Sequence, residues 1–359
     1  MKKTIKISLI SILVLISIIL TLTVGYVIYF VGSYSRLDDY QNLIVRDNNN
    51  EKVSLDTEYK IITYNIGFGA YTPSYSFFMD GGKYGRAESR ESVENTVKGI
   101  EALLSERNAD FIMLEEVDQY ADRSYKVDQK AYFEQDLDGY ASVYAQNYDS
   151  PYVAIPFGSP HGSAKAGMMT LSKFEISSSL RRKLPVENTL MKYLDLDRCY
   201  TVTRIPTENG KELVLYTVHL SAYTSDEKIK DAQLLMVLED MKSEYEKGNY
   251  IICGGDFNKD LLIDSTEYFK GREKKDWAAP IDKELVESMG FILKAPTDNE
   301  SIKPTCRNPD KPYHEKQFVV TDDGFIVSDN VEVEYVRVAD ADFEFSDHNP
   351  VEMKFTLKS

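Results

Sequence analysis

The sequence predicts a mixed α/β domain behind a single N-terminal membrane-spanning helix, on three observations. Residues 7–35 carry no charge and are mostly Ile, Leu and Val. Beyond them, short apolar runs of strand length alternate with amphipathic helical stripes, without a second linker or an internal repeat. The polar signatures of the chain fall where those runs end, the place where loops carry chemistry on a rigid sheet.

The apolar run justifies the first element. At about 1.5 Å per residue, some 20 of its residues in a helix cross a ~30 Å hydrocarbon core. Lys2, Lys3 and Lys6 precede the run, and Arg36, Asp38 and Asp39 follow it. The positive-inside bias then divides the chain into a cytoplasmic N-terminus (1–6), a transmembrane signal anchor (7–31), a polar tether with little structure of its own (32–57) and an extracytoplasmic domain (58–359). The expected location is the cell membrane, single-pass. A cleaved signal peptide is the competing reading. It is disfavoured because the run is long and Tyr26, Tyr29 and Phe30 crowd its end, where a small-x-small site would stand.

Composition bounds the rest. Of 359 residues, 43% are hydrophobic and 28% charged, which excludes wholesale disorder. There are 42 Lys and Arg against 58 Asp and Glu, a net charge of −16. Setting aside the three lysines before the apolar run leaves 39 against 58, so the remainder carries −19. Phosphate backbones are held by Lys and Arg, so a DNA-coating role is disfavoured. Cys199, Cys253 and Cys306 are too few and too scattered for a disulfide scaffold or a zinc site. Buried thiols are the simpler reading, one bridge the alternative.

Tyr59-Lys60-Ile61-Ile62-Thr63-Tyr64-Asn65 has the β-branched and aromatic content of a strand. Val93, Val97, Ile100 and Leu104 make the stripe of an amphipathic helix over 89–108. Strands are predicted over 111–114, 212–218, 250–253, 324–327 and 351–357. Thr224 and Glu227 form a capping box for a helix that ends before Gly248.

Five segments interrupt this pattern: Thr63-Tyr64-Asn65-Ile66-Gly67, Leu114-Glu115-Glu116-Val117, Val218-His219-Leu220, Gly254-Gly255-Asp256-Phe257-Asn258 and Ser346-Asp347-His348-Asn349-Pro350. Asp323 adds an acid before the last predicted strand but one. Singly, each has a plain structural reading as a turn cap, a solvated strand end or a satisfied core histidine. Together, Asp and Glu oxygens suit a hard cation such as Mg²⁺ better than zinc. Histidines and amides beside such an ion are the donors that a phosphoryl transition state needs.

In this order the segments resemble the endonuclease/exonuclease/phosphatase superfamily, the DNase I-like fold, from Asn65 to His348. The resemblance implies a four-layer α/β/β/α sandwich of two mixed sheets and a hydrolase of phosphoester bonds that uses Mg²⁺ or Mn²⁺. It implies Glu116 as the main metal ligand, with Asn65 and Asp347 beside it. Asp256 would lie near the attacking water, and Asn258 and His219 would donate to the phosphate. His348 would be the catalytic histidine and Asp323 the acid that orients it. An Asp-oriented imidazole keeps one tautomer and can take or lend a proton. Either Asp256 or His348 is the base.

Other segments stand outside the motifs. The Gly/Ser loop 158–167 is expected either to lie over the substrate, with Lys165 reaching a phosphate, or to be an exposed loop. The loop 77–86 offers an aromatic tip, Phe77-Phe78-Met79, for which ordinary packing is the simpler reading. Cys306 lacks a neighbouring base. Lys259-Asp260 stands where inositol-polyphosphate phosphatases carry Tyr-Arg, which speaks against an inositol phosphate. Acidity and tethering favour a lipid headgroup or small phosphoester as partner, with nucleic acid, for an extracellular endonuclease, the runner-up. A non-catalytic surface protein is the third reading. No protein partner is inferred.

Overall fold

Alternation along the predicted strands sets the layers. Ile61, Phe111 and Met113 are buried with Leu215, Ile252, Phe325 and Met353 in one core. One residue along, Ile62, Tyr64, Ile112 and Leu114 face the other way, onto Val93, Val97, Ile100 and Leu104. This period of two is what a sheet covered on both faces requires. A computed structural model of the chain describes residues 2–359 apart from Ser225 and Asp276, and the backbone alone of Lys2, Lys3, Leu190 and Met191.

One sheet has six strands, in the order β14 (Val331–Val338), β15 (Val351–Leu357), β2 (Glu58–Asn65), β3 (Phe111–Ala121), β5 (Gly162–Ser172) and β4 (Ala141–Val153). The other has seven: β1 (Gln41–Asn42), β6 (Ser178–Lys183), β7 (Cys199–Pro206), β8 (Glu212–His219), β9 (Tyr250–Asp256), β13 (Asp323–Val327) and β10 (Ile292–Lys294). A two-stranded ribbon, β11 (Cys306–Arg307) with β12 (Val319–Val320), stands beside them. Both sheets are mixed, since β2–β3 and β8–β9 are parallel and their other neighbours antiparallel. The helices α2 (Arg90–Arg107) and α3 (Gln129–Asp136) cover the six-stranded sheet, and α4 (Glu227–Tyr245) covers the seven-stranded one. The expected four-layer sandwich is the fold observed.

Local chemistry explains the helix ends. Ser89 caps α2 by accepting from Ser92 N at 3.0 Å, and Asn108 ends it in the left-handed region. The expected Thr224/Glu227 capping box does not form. The first helical residue of α4 is Glu227, so Asp226 occupies the cap and accepts from Lys228 N. Thr224 Oγ1 donates instead to Glu187 at 2.6 Å.

The N-terminal helix, α1 (Lys2–Gly32), is long and apolar enough over Thr4–Gly32 to cross a membrane, a property signal sequences share. The segment after it departs from the expected loose tether. Arg36 Nε meets Asp197 Oδ1 at 2.6 Å, β1 pairs with β6, and Asn48 exchanges two hydrogen bonds with the Ile176 backbone. Val53 is fully buried, and Leu43, Val45 and Leu55 pack beside it. These four apolar residues, set among Asp47 and its run of asparagines, lay the segment onto the sheets.

Candidate active site

Strand register assembles most of the site. At the end of β2, Asn65 lies opposite Glu115 of β3. At the end of β8, His219 lies opposite Asp256, the last residue of β9, which in turn faces Asp323 at the start of β13. The glycine pair before Asp256 permits this crowding. A Cβ on Gly255, where φ is +144°, would stand 2.0 Å from Val218 O, and one on Gly254 would press into the Phe325 ring at 2.7 Å. The Asn65 amide joins the sheets, donating to Asp256 Oδ2 at 3.1 Å and Glu116 Oε1 at 3.3 Å.

Glu115 and Glu116 part ways at a break in the β3–β5 register between Leu114 and Val117. Glu116 takes φ +56°, so the two successive carboxylates do not simply alternate. Glu115 is wholly buried, accepts from Thr63 Oγ1 at 3.1 Å, and is pushed well above the usual carboxylate range by burial. Glu116 turns toward the cavity.

His348 is held by Asp323, with Nδ1 2.8 Å from Asp323 Oδ2. Its Nε2 lies 3.8 Å from Asp256 Oδ2, and His219 Nε2 lies 3.6 Å from the same oxygen. The environments separate the two rings. Burial would lower both, and it leaves His219 well below the ordinary imidazole range, with Arg198 adding to the effect. At His348 the Asp323 carboxylate overrides burial and holds the imidazolium well above it. Burial pushes Asp256 up to about 6, against the pull of His348. Asn258 sits beside this group at φ +50°, its backbone N–H bonded to Asp256 Oδ1 at 2.8 Å and its amide to Leu220 O at 3.0 Å.

The remaining oxygens fit a hard cation. Glu116 and Asp347 line the same cavity, and burial raises both. Among the described residues neither makes an ion pair with Lys, Arg or His, although buried charges are ordinarily paired or bind metal. Gly67 lets the chain pass: a Cβ there would lie 3.1 Å from Asp347 Oδ1. Ser346 Oγ, bonded to Asn65 O at 2.8 Å, ties the Asp347 loop to β2. Glu116 and Asp347 offer hard carboxylate oxygens suited to Mg²⁺ or Mn²⁺, and Asn65 borders them with its amide N–H groups, its Oδ1 accepting from Gly67 N at 3.0 Å. Ligand atoms of Asp256, Asp323 and His348 also lie within 4.8 Å of one another.

The structure thus brings together Asn65, Glu116, His219, Asp256, Asn258, Asp347 and His348 around one cavity of about 400 Å³, with Asp323 behind His348. Lys165 is not among them, which corrects the expected phosphate contact. It stands on the exposed side of β5, 3.6 Å from Asp149, because that strand begins at Gly162 and alternation turns Lys165 outward between buried Ala164 and Ala166. The same loop instead delivers His161 to the cavity wall. The Phe77 tip packs into the core. Cys306 is buried and burial pushes its thiol well up, as are the other two free cysteines.

Several lining residues carried no motif. Arg123, fully buried, forks onto Asp118 at 2.8 Å and stacks 3.9 Å over Phe68. Tyr223 donates to Asp80 at 3.2 Å, and burial lifts that acid to about 7. Trp277 and Asn308 complete the far wall. The one signal in the sequence was an Arg placed just past the end of β3.

Solved structures share this architecture. An endonuclease/exonuclease/phosphatase from Beutenbergia cavernae is 18% identical, with a TM-score of 0.57, covering 84% of this chain and 72% of its own. The 2′,3′-cyclic phosphatase ANGEL2, in complex with adenosine-2′,3′-vanadate, is 14% identical, with a TM-score of 0.54 over 90% of this chain and 100% of its own. D. rerio TDP2, complexed with a single-strand DNA product, is also 14% identical, with a TM-score of 0.52 over 84% of this chain and 100% of its own. A search of curated proteins gives no significant match. The sequence profile of the Endonuclease/Exonuclease/phosphatase family matches residues 62–348, which take in strands of both sheets and every residue gathered at the cavity, and the chain belongs to that family of phosphoester hydrolases.

Proposed function

We propose that the protein is a divalent-metal-dependent phosphoesterase, tethered to a membrane with its catalytic domain outside, that hydrolyses a lipid headgroup or small phosphoester. The observation that carries the chemistry is the His348–Asp323 pair at 2.8 Å facing Asp256, with the carboxylates of Glu116 and Asp347, which make no ion pair among the described residues, lining the same cavity. Asn65, Glu116 and Asp347 would hold Mg²⁺ or Mn²⁺, which when bound polarises the phosphoryl group and neutralises its charge.

The chain's own residues supply the rest. Asp256, raised to about 6, is the base that takes a proton from water as the water oxygen bonds to phosphorus and the bond to the leaving oxygen breaks. His348 keeps its proton through Asp323 and presents Nε2–H to the phosphoryl oxygens. His219 and Asn258 border the same oxygens from β8 and from the turn after β9. The oxygen that leaves takes up a proton from solvent, and Asp256 returns its own to solvent, which closes the proton balance.

The net charge of −19 outside the anchor and the membrane-length helix support a lipid or small phosphoester over nucleic acid. The test is a substrate panel on the full chain in lipid nanodiscs with Mg²⁺: sphingomyelin, an inositol phosphate, aryl phosphate mono- and diesters, and plasmid and single-stranded DNA. The expected result is turnover of a lipid or small phosphoester with kcat/KM at least about tenfold above that for DNA, or ~1.4 kcal/mol of preference. The reverse order makes the protein an endonuclease, and no turnover of any substrate contradicts the catalytic reading.

A further inference from the structure

The last turns of α1 dock on the two segments that wall one side of the cavity. Tyr26 Oη donates to Tyr152 O at 3.0 Å and accepts from Ala154 N at 3.2 Å, and Tyr29 Oη accepts from Tyr152 N at 3.1 Å. Tyr193 packs its ring against Phe30 and Tyr34, 6.1 and 5.0 Å between centroids. Continuing along these segments, residues 152–161 end on His161, and residues 190–196 end on Leu194 and Leu196, all at the cavity. Arg36 is already bonded to Asp197 and Leu184 O, so very little chain is free to swing between helix and domain.

Depth follows from helix geometry. Ile7 to Tyr26 covers about 30 Å of helix, one hydrocarbon thickness, which puts Tyr26, Tyr29 and Phe30 at the interface where aromatic belts form. Their backbone partners at 152–154 must lie at that level too. The turn that follows carries Ile155, 43% exposed, and Phe157, at 95% the most exposed large apolar side chain among the described residues. No Asp, Glu, Lys or Arg occurs between Asp149 and Lys165 in this acidic chain. A single exposed apolar residue is ordinary. An uncharged turn with a fully exposed Phe, bonded to the interfacial end of a membrane-length helix, has a stated occupant in the bilayer beside it.

We propose that residues 152–157 are a membrane-contacting element, with Ile155 and Phe157 seated in the interfacial region of the phospholipid bilayer that α1 spans. The contact holds the cavity mouth against that leaflet, so the substrate is drawn from the same membrane. The seating stands on the α1 contacts alone, while the source of the substrate rests on the phosphoesterase reading above.

The test uses the full chain reconstituted in phosphatidylcholine/phosphatidylglycerol vesicles. Phe157→Cys is labelled with an environment-sensitive fluorophore, the three native thiols being buried. Glu208→Cys, in the turn at the opposite end of β8 from His219, is the water-facing comparison. The label at 157 is expected to shift to the blue and to be quenched by lipids with a nitroxide high on the acyl chain, in keeping with a depth of about 5–10 Å. Quenching no greater than at 208 overturns the seating. So does a blue shift without lipid quenching, which would mark a protein partner.

Phe157→Asp separates the two readings. Turnover of vesicle lipid should fall about tenfold, the factor that ~1.4 kcal/mol of lost apolar contact gives, while turnover of a soluble aryl diester stays unchanged. If soluble diester is hydrolysed and vesicle lipid never is, the substrate source fails while quenching still decides the seating. If the variant loses both activities equally, the positioning role fails.

Discussion

At the level of single residues, the account turns on how Asp323 acts through His348. Asp323 is not among the cavity's lining residues, yet its Oδ2 lies 2.8 Å from Nδ1 and fixes which nitrogen faces the cavity. His348→Ala and Asp256→Asn should therefore each lower kcat by at least about 10²-fold, the low end of what a positioned acid or base supplies. Asp323→Asn should cost less, because the ring stays in place. The double variant Asp323→Asn/His348→Ala should be no slower than His348→Ala, since residues that act as a unit lose their joint effect once. Melting temperatures taken alongside exclude unfolding. Multiplying effects would mean that the two side chains work independently.

Among the elements, β9 matters most, because its last residue meets both histidines. Its neighbours approach so closely that Gly255 has no room for a side chain: the Cβ of Ala would lie 2.0 Å from Val218 O. Gly255→Ala should cost roughly 1–3 kcal/mol of stability, as overpacking does, and should displace Asp256 from His219. Urea unfolding together with kcat reads both, and a variant as stable and active as the wild type would show that the pair can slide. Strand ends were also where the sequence was legible. Asn65, Glu116, His219 and Asp256 each interrupt or end an apolar run, so their common edge followed once the strands were paired. Arg123, Asp80, Tyr223 and His161 arrive from loops whose course depends on tertiary packing, and no period announces them. Of the two readings of its loop, Lys165 does not follow the phosphate contact, because β5 begins six residues before the apolar run from Met168 to Ser172 and carries it outward. The capping box at Thr224 failed for a similar reason, an N-terminus shifted by two residues.

For the whole molecule, the N-terminal helix and the sandwich are joined by packed chain rather than by a free tether. The polar stretch 36–57 hid its packing because Leu43, Val45, Val53 and Leu55 are too sparse to mark a strand, although they bury against the sheets. On the proposed topology Lys2, Lys3 and Lys6 lie inside and the domain outside. Protease added to intact protoplasts should then digest the domain while a cytosolic marker survives. Protection of both would reverse the topology.

The charge of the site sets the dependence on metal and pH. Burial raises Glu116 and Asp347 and lifts Asp256 to about 6, so on the proposed reading these groups would release protons when a cation binds. As pH falls through about 6, the value to which Asp256 is raised, protons compete, and more cation should be needed. The most direct test is therefore turnover of a soluble aryl phosphodiester by the full chain, stripped with EDTA and titrated with Mg²⁺ at about pH 7.5 and 5.5, either side of the raised Asp256. Stripping should cost at least about 10²-fold, the scale of several kcal/mol of charge stabilisation. Mg²⁺ or Mn²⁺ should restore the rate, the concentration for half-maximal rate should rise at the lower pH, and Glu116→Gln should raise it at both. Full activity after exhaustive stripping, or a metal requirement unmoved by Glu116→Gln, would contradict the account.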